Sequence, residues 1–288
     1  MKILNNLSLK EYLSYYLYIK IRLIAEFIWF TLPNYSKINK LKKLKNSKKN
    51  KKAFVFANGP SISKLDAYKI KTYQEKGFDV FAGNSYINSS FGEIAVPDFY
   101  VFSDNIHFGK KTTKLLYEKH KSDVSKVIDL KIPIFVPHRY CKGLDWPNTY
   151  VFNDSFDVFS NNVVDMTKRK GYLSLTLYKA LSAACYMGYE KIYICGFDNN
   201  YFKYFNVDED NNIFLLDKHF YSKENSEPVK RKQEYYKSMG ELLLNTSLTF
   251  SGLYKFNDMP IINLDKNGLV DNFSKKHSLD VYRNEKDQ

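Results

Sequence analysis

Residues 53–61 read Ala-Phe-Val-Phe-Ala-Asn-Gly-Pro-Ser and join a short apolar run to a group of turn residues. The run is preceded by lysines, so it predicts a buried strand that ends in a tight turn and leads into a helix. Asn58 and Gly59 tolerate positive φ. Pro60 suits a first helical turn, and Ser61 can cap a helix or contact a phosphate. Backbone N–H groups at such a helix N-terminus would bind an anion, and an ordinary β–α turn is the alternative.

The composition limits the possible classes of protein. The chain has 288 residues, 44% of them hydrophobic, which suffices for one large α/β domain or two small ones. Three cysteines without a Cys-x-x-Cys pair fit a reducing compartment, and five scattered histidines show no metal-ligand pattern. Nine lysines and no acidic residue lie within residues 37–52 and supply most of the net charge of +13. Because the basic charge is local, it favours an anionic surface over nucleic acid as partner.

Residues 1–35 are rich in aromatic and aliphatic side chains, but Lys10, Lys20 and Arg22 interrupt them. The uncharged stretches are shorter than the ~20 residues that span a bilayer. We therefore expect residues 1–50 to form an amphipathic helix and a lysine-rich segment, and residues 1–52 to contact an anionic membrane. The protein would then be cytoplasmic and peripheral on the inner face of the cell membrane. Packing on the domain, or on another subunit of a homo-oligomer, is the alternative.

From residue 51 to residue 288 we predict one domain, because apolar runs alternate with amphipathic stretches. This order indicates an α/β fold with a single doubly wound, mostly parallel, Rossmann-like sheet. The predicted strands are 53–57, 79–82, 99–102, 132–136, 149–152, 191–195 and 260–264. The predicted helices are 63–75, 111–119, 173–187 and 231–244. Residues 199–230 mix aromatic and acidic residues and are predicted to form a lid loop.

Ligands of doubly wound sheets bind outside the carboxyl ends of the strands. The residues that follow four of the predicted strands are polar and rich in Asn, Ser, Asp and Gly: 58–61, 83–85, 103–105 and 196–200. These four segments are therefore the predicted binding edge.

Several motifs occur in a fixed order along the chain. The Asn-Gly-Pro-Ser turn is followed by Asp-Val-Phe-Ala-Gly-Asn at 79–84 and by Met-Gly-Tyr-Glu-Lys-Ile-Tyr-Ile-Cys-Gly-Phe-Asp at 187–198. His219-Phe220 and Ile-Ile-Asn-Leu-Asp-Lys-Asn-Gly-Leu-Val at 261–270 come last. This order resembles the family 42 bacterial sialyltransferases over about residues 52–275. The first turn and the Gly-Tyr-x-x-Ile…Gly-x-Asp pattern also resemble a wider group that includes flagellin-modifying transferases and a pterin diphosphokinase family.

The resemblance implies a GT-A-like glycosyltransferase that moves a sialic-acid-type (nonulosonate) sugar from a CMP donor to a hydroxyl. The reaction would invert the sugar and need no metal or other cofactor. The acceptor would be a glycan of the bacterial surface, in lipopolysaccharide or capsule biosynthesis, and no nucleic acid is expected as a partner. Carried over residue by residue, the donor-binding positions are Asn58, Gly59, Pro60, Ser61, Asn84, Ser103, Asp104, Asn105, Ser174, Thr176, Gly196, Asp198, Tyr201 and Tyr204.

The sequence departs from the family pattern at two places. The family has an arginine just ahead of its hydroxyl cluster, whereas here Lys168 and Arg169 are displaced by several residues. The family tyrosines that contact the phosphate follow Gly-x-Asp closely, whereas here Asn199 and Asn200 intervene before Tyr201 and Tyr204. These departures leave the identity of the donor open.

The acceptor hydroxyl needs a base whose pKa lies near the working pH, which histidine supplies. The resemblance assigns this role to His219; His107 and His138, each after a predicted strand, are the second and third choices. A CMP-sugar leaves with a single phosphate, which backbone N–H groups and hydroxyls can stabilise without a metal. The nearest metal candidate, Asp-Glu-Asp at 208–210, lies in a stretch predicted to be a solvated loop.

Two other functions remain open from the sequence. An ATP-dependent, pterin diphosphokinase-like enzyme would use acidic residues to hold Mg²⁺, and residues 103–105 with Asp198 could serve. A non-enzymatic membrane or nucleic-acid adaptor would use the lysines of residues 37–52, but it does not explain the polar strand ends.

Overall fold

The computed structural model describes residues 8–110, 112–157, 160–171, 173, 175–217, 220, 229–230 and 238–276. In this part of the chain eight parallel strands form one sheet: β1 (Lys52–Phe56), β2 (Asp79–Gly83), β3 (Phe99–Val101), β4 (Ile134–Pro137), β5 (Thr149–Phe152), β6 (Lys191–Cys195), β10 (Ile261–Asn263) and β11 (Ser274–Lys275). Their spatial order is β11-β10-β6-β1-β2-β3-β4-β5. The predicted α/β fold is confirmed, with all seven predicted strands in place and β11 in addition.

The strand order reverses at β1. Strands β1 to β5 follow one another across one half of the sheet, and the chain then crosses back so that β6 pairs with the free side of β1. Such a reversal opens a crevice at the carboxyl ends of the two strands, which is where open α/β sheets bind their ligands. Here the crevice lies between the segments that begin at Ala57 and Gly196.

Helices cover both faces of the sheet, which makes it doubly wound. The helices are α1 (Leu9–Glu26), α2 (Tyr35–Asn39), α3 (Ala67–Glu75), α4 (Ser90–Ile94), α5 (Lys114–Asp129), α6 (Thr176–Met187) and α7 (Met239–Ser251). Val55 of β1 belongs to one apolar core with Ala180 of α6. Phe54 and Phe56 point to the other face and share a second core with Ile70 of α3 and Val127 of α5. A strand covered on both faces is apolar at nearly every position, as the sequence of β1 is.

Two helix boundaries differ from the prediction for identifiable reasons. The segment Pro60–Lys64 is a short 3₁₀ helix, and α3 starts only at Ala67 because the Asp66 side chain caps it by accepting the Tyr68 N–H at 2.9 Å. Helix α5 continues ten residues past the predicted end, to Asp129, because Val127 is fully buried. Helix α6 begins at Thr176 and α7 spans Met239–Ser251, while residues 231–237 lie outside the described part.

The segment predicted as a lid loop contains regular structure. After a 3₁₀ helix at Tyr201–Tyr204, strands β7 (Phe205–Val207), β8 (Ile213–Asp217) and β9 (Val229–Lys230) pair antiparallel. The Asp208 side chain accepts the N–H groups of Asp210 (3.1 Å) and Asn212 (2.7 Å) and thereby fixes the β7–β8 turn. The acidic run at 208–210 thus has a local structural role in this turn.

The N-terminal residues pack onto the domain along one side. Ile19 and Leu23 are buried, and Arg22 donates to the Phe156 carbonyl at 2.8 Å. The lysine-rich segment contributes buried Ile38 and Leu41 to the two apolar cores. None of the described helices is both long enough and apolar enough to cross a bilayer.

The other side of α1, and of the π-helical turn Phe27–Thr31 that follows it, is exposed and apolar. Leu17, Ile21, Ile24 and Ile28 follow one another at helical spacing with exposures of 52–60%, and Trp29 is 74% exposed. Such a stripe is larger than the isolated apolar residues found on most soluble surfaces.

Candidate functional site

The structure brings most of the predicted site residues to the carboxyl edge of β1, β2, β3 and β6. Two of them, Ser174 and the candidate base His219, lie outside the described residues. Tyr201 and Tyr204 belong to the 3₁₀ helix that follows the Asp198 segment, and only their backbone is described. The remaining predicted residues can be placed individually.

Asp198 and Ser61 are bonded to each other across the crevice. The Asp198 carboxylate accepts the Ser61 N–H at 3.2 Å and the Ser61 hydroxyl at 3.0 Å. The same hydroxyl accepts the Gly196 N–H at 3.0 Å. A carboxylate of the protein therefore occupies the start of the 3₁₀ helix that begins at Pro60, where the sequence predicts free N–H groups at a helix N-terminus. Ser61 and Asp198 position the two turns relative to each other, and their contact with a donor stays a prediction.

The close contacts around residue 59 require a glycine there. Its backbone conformation does not, because any residue can adopt a φ of −69°. Its N–H donates to the Gly196 carbonyl at 2.9 Å. A β-carbon at this position would lie 2.5 Å from the same carbonyl oxygen and would collide with the Asp198 carboxylate. The close approach of the β1 and β6 turns thus depends on a glycine here.

Negative charge collects on the β6 and β10 side of the crevice. Burial, followed by the charge of Asp265, raises the pKa of the Asp198 carboxyl above its ordinary value. Asp265 follows β10 and is itself buried, and its Oδ2 has no hydrogen-bond partner within the described part of the chain. This side of the crevice disfavours an anion such as a phosphate.

Two asparagines present unpaired amide oxygens at the ends of β1 and β2. The Oδ1 atoms of Asn58 and Asn84 are buried and lack a hydrogen-bond partner among the residues that the structure describes. Asn84 has φ 56°, a left-handed conformation that asparagine tolerates, and its carbonyl accepts the Tyr100 hydroxyl at 2.7 Å. An unsatisfied buried acceptor costs about 1–3 kcal/mol, a cost that a hydrogen-bond donor of a ligand at this edge would offset.

Ser103 and Thr176 form a pair of hydroxyls at the end of β3. Their oxygens are 2.9 Å apart, and Thr176 is the first residue of α6. Leu175 stands at the N-cap of α6 and offers no side-chain acceptor, so the helix begins without the usual side-chain cap. A helix N-terminus with two neighbouring hydroxyls can bind an anion. The N-terminus of α6 is therefore a second place at this edge that suits an anion, and an anion at the first turn stays a prediction.

Asp104 caps the local backbone, and Asn105 is the first residue of the capped helix. The Asp104 carboxylate accepts the Ile106 N–H at 3.3 Å and caps the 3₁₀ helix Asn105–Phe108. The structure thus gives Asp104 a local capping role, and a contact of either residue with a donor stays a prediction.

The second and third choices for the catalytic base are both buried. Burial lowers the pKa of His107 to about 4 and that of His138 also to about 4. His138 accepts the Asp154 N–H at Nδ1, and its Nε2 lies 3.3 Å from the Ser155 hydroxyl. With both ring nitrogens engaged, His138 is not placed to deprotonate a substrate.

The segment that follows His219 reaches the first turn. The Phe220 N–H donates to the Asn58 carbonyl at 3.1 Å, and the Phe220 ring lies 5.9 Å from the ring of Tyr86. The β8–β9 region is therefore anchored beside the binding edge at this residue.

One group of neighbouring side chains was not predicted from the sequence. His107, His120 and Asp123 lie together, and among the described residues they are a group that could hold a metal ion. The predicted helix stopped at residue 119, so His120 and Asp123 were not recognised as neighbours on one helix face. With the helix extended, their i, i+3 spacing is the signal that could have found them.

Comparison with known proteins gives little further information. No family model matches the chain, and no curated protein matches it. Among solved structures, the MAf glycosyltransferase from Magnetospirillum magneticum AMB-1 is similar, with a TM-score of 0.43 and 9% sequence identity. The match covers 84% of this chain and 38% of that glycosyltransferase. The resemblance to family 42 therefore stays a prediction.

Proposed function

We propose that the chain is a glycosyltransferase that binds a nucleotide-linked sugar at the carboxyl edge of β1, β2 and β3. The observation that carries the proposal is the pair of buried amide oxygens of Asn58 and Asn84, which lack a hydrogen-bond partner among the described residues and lie at the sheet edge that also carries the N-terminus of α6. The edge thus combines acceptors for a ligand's hydrogen-bond donors with a place for its anionic group.

The chemistry of these groups suggests how the donor lies. An amide oxygen accepts hydrogen bonds and repels phosphate oxygens, so Asn58 and Asn84 suit ribose hydroxyls or the exocyclic amine of a base such as cytosine. The phosphate suits the α6 N-terminus with Ser103 and Thr176, away from the buried carboxylates of the β6 side. This assignment moves the phosphate from the first turn, where the sequence places it, to the start of α6.

The finer reaction rests on the sequence resemblance. In our proposal the donor is a CMP-linked nonulosonate, the acceptor is a hydroxyl of a bacterial surface glycan, and the sugar is transferred with inversion and without a metal at the donor phosphate. His219, in the segment that precedes Phe220, is the proposed general base.

Substitution of Asn84 by glycine tests the site. Glycine accepts the φ of 56° and removes the unpaired oxygen, so Asn84→Gly should leave the ligand-free protein at least as stable as the wild type. The loss of one hydrogen bond, about 0.5–1.5 kcal/mol, should weaken CMP binding about 2- to 10-fold. Isothermal titration calorimetry with CMP, UDP and ATP gives the affinities.

Asn211→Gly is the matched control, because Asn211 has φ 59° in the turn between β7 and β8. It should bind CMP as the wild type does. Wild-type affinity of Asn84→Gly for CMP, or an equal loss in Asn211→Gly, would refute the site. Equal affinity of the wild type for UDP or ATP would refute a CMP donor and, for ATP, favour the diphosphokinase alternative.

We also propose that the exposed stripe within residues 17–29, on α1 and the helical turn that follows it, lies on an anionic membrane surface. The stripe presents aliphatic side chains and Trp29, and the nine lysines of residues 37–52 follow it directly. Aliphatic insertion together with lysine attraction, about 1 kcal/mol for each lysine near the surface, is the combination that holds peripheral helices.

A further inference from the structure

Three potential metal ligands from two separate elements meet beside the ends of β2 and β3. His107 belongs to the 3₁₀ helix Asn105–Phe108, while His120 and Asp123 lie one turn apart on α5. The Asp123 Oδ2 atom is 3.1 Å from His120 Nδ1 and 3.9 Å from His107 Nε2. All three ligand atoms lie within 4.8 Å of one another.

The carboxylate is held in a fixed orientation. Asn88 donates to Asp123 Oδ1 at 2.6 Å, which leaves Oδ2 directed at the two imidazoles. The Ser85 hydroxyl donates to Oδ2 at 2.9 Å and lies 3.4 Å from His120 Nδ1. Hydrogen bonds that orient a ligand through its other oxygen are typical of the surroundings of protein metal sites.

Within the described ranges, His107 has no hydrogen-bond partner that explains its burial. It is 3% exposed, and neither ring nitrogen makes a hydrogen bond to a residue in the described ranges. Its ring packs on Phe102, with the ring centroids 4.7 Å apart. A buried, unpaired polar group costs about 1–3 kcal/mol, and a bound cation would satisfy Nε2.

We propose that His107, His120 and Asp123 bind one divalent transition-metal ion of the zinc class. Ligand atoms about 2.0–2.2 Å from a tetrahedral ion lie roughly 3.3 Å apart, and the distances of 3.1 and 3.9 Å fall on both sides of this value. Two imidazoles and one carboxylate suit zinc better than Mg²⁺ or Ca²⁺, which prefer oxygen ligands. Ser85 or a water molecule would complete the coordination.

The ion would join elements that follow two neighbouring strands. Ser85 and Asn88 come after β2, His107 comes after β3, and α5 packs beside them. In this proposal the metal ion fixes this edge of the sheet next to Asn84 and Ser103. The ion takes no part in the proposed sugar transfer. The inference is therefore independent of the proposed function.

The untagged full-length protein, stripped with EDTA and dialysed, is titrated with ZnCl₂, with MgCl₂ in a parallel series. Calorimetry and elemental analysis should show one zinc ion per chain, and zinc should raise the melting temperature. Co²⁺ in place of zinc should give the intense visible absorption of tetrahedral coordination. His120→Gln and Asp123→Asn should each weaken zinc binding at least about 100-fold, because removing a ligand costs more than the 10–100-fold that follows loss of a supporting group.

Glu118→Gln is the control, because Glu118 is an exposed carboxylate on the same helix. It should bind zinc as the wild type does. Circular dichroism of the metal-free variants checks that they fold; His120 has a side chain 23% exposed and should tolerate glutamine. Less than stoichiometric zinc in the wild type, undiminished binding by both ligand variants, or tighter binding of Mg²⁺ than of zinc would overturn the proposal.

Discussion

Gly59→Ala is the substitution whose effect follows most directly from the structure. The backbone of Gly59, with φ −69° and ψ 157°, is accessible to alanine, so the cost must come from contacts. The new β-carbon would lie 2.5 Å from the Gly196 carbonyl oxygen, well under the 3.0 Å that real β-carbons respect, and it would collide with the Asp198 carboxylate.

The size of the expected loss of stability follows from the atoms that the new β-carbon would displace. The Gly196 carbonyl is fixed by the Gly59 N–H (2.9 Å) and by the adjacent bond from the Ala57 N–H to the Cys195 carbonyl (2.9 Å). Displacing packed atoms costs about 1–3 kcal/mol. Pushing Asp198 away breaks its bonds to Ser61, and hydrogen bonds to a charged group contribute about 1.5–3 kcal/mol. Alanine recovers about 0.4–1 kcal/mol through the unfolded state. We expect the free energy of unfolding to fall by about 3 kcal/mol.

Urea denaturation followed by circular dichroism measures the change, with Gly240→Ala as control. Gly240 lies in α7, and the nearest heavy atom to its added β-carbon is Ser238 Oγ at 3.8 Å. Alanine there should gain about 0.5–1 kcal/mol, as expected for a helix position. A loss under about 1 kcal/mol for Gly59→Ala, or a loss of similar size in the control, would refute the argument that close approach of the two turns requires glycine.

Three further predictions concern pH, membranes and catalysis. Burial, and to a smaller extent the charge of Arg139, lowers the pKa of His138 from 6.5 to about 4. As the pH falls from 6.5 to 4, the unfolded chain binds a proton at this histidine before the folded protein does. The free energy of unfolding should therefore decrease over this pH range. His138→Gln should remove up to about 1.4 kcal/mol per pH unit of that slope in urea titrations, and equal slopes would contradict the prediction. The double variant Ile21→Ser, Trp29→Ser should bind anionic vesicles about 100-fold or more weakly in a sedimentation assay. The control Leu130→Ser, at another exposed apolar residue, should bind them as the wild type does. Unchanged vesicle binding by the double variant would point to a protein partner for the stripe. His219→Ala should retain CMP affinity but lose about 10²–10⁴-fold in turnover, and near-normal turnover would remove it as the base.

The sequence predicted the sheet well because the signal for a buried strand is local. Residues 53–57 are apolar over their whole length and residues 192–195 carry a buried run after Lys191, since both faces of a central parallel strand are covered, and turn residues mark where each run ends. The helices were predicted less accurately. The charged residues around His120 hid the continuation of α5, whose buried positions reappear at Val124 and Val127.

The sequence also identified polar strand ends but not their partners. In the predicted lid at 199–230, three short strands pair with one another in the described part of the chain, and their residue pattern is too brief to be recognised in the sequence. Similarly, the sequence of the turn at Asn58–Ser61 predicts an anion site, and it does not show that the distant Asp198 carboxylate accepts the Ser61 N–H.

By itself, then, the sequence determined seven of the eight strands of the large sheet, the doubly wound α/β class and the segments that reach the predicted binding edge. The tertiary structure decided which side chains meet there. Ser61 bonds to Asp198 across 137 residues of sequence, and Ser103 to Thr176 across 73. Both contacts exist because the chain crosses back after β5, which lays α6 over the sheet and pairs β6 with β1. Strand order is set by the packing of whole elements, and no local pattern of residues records it.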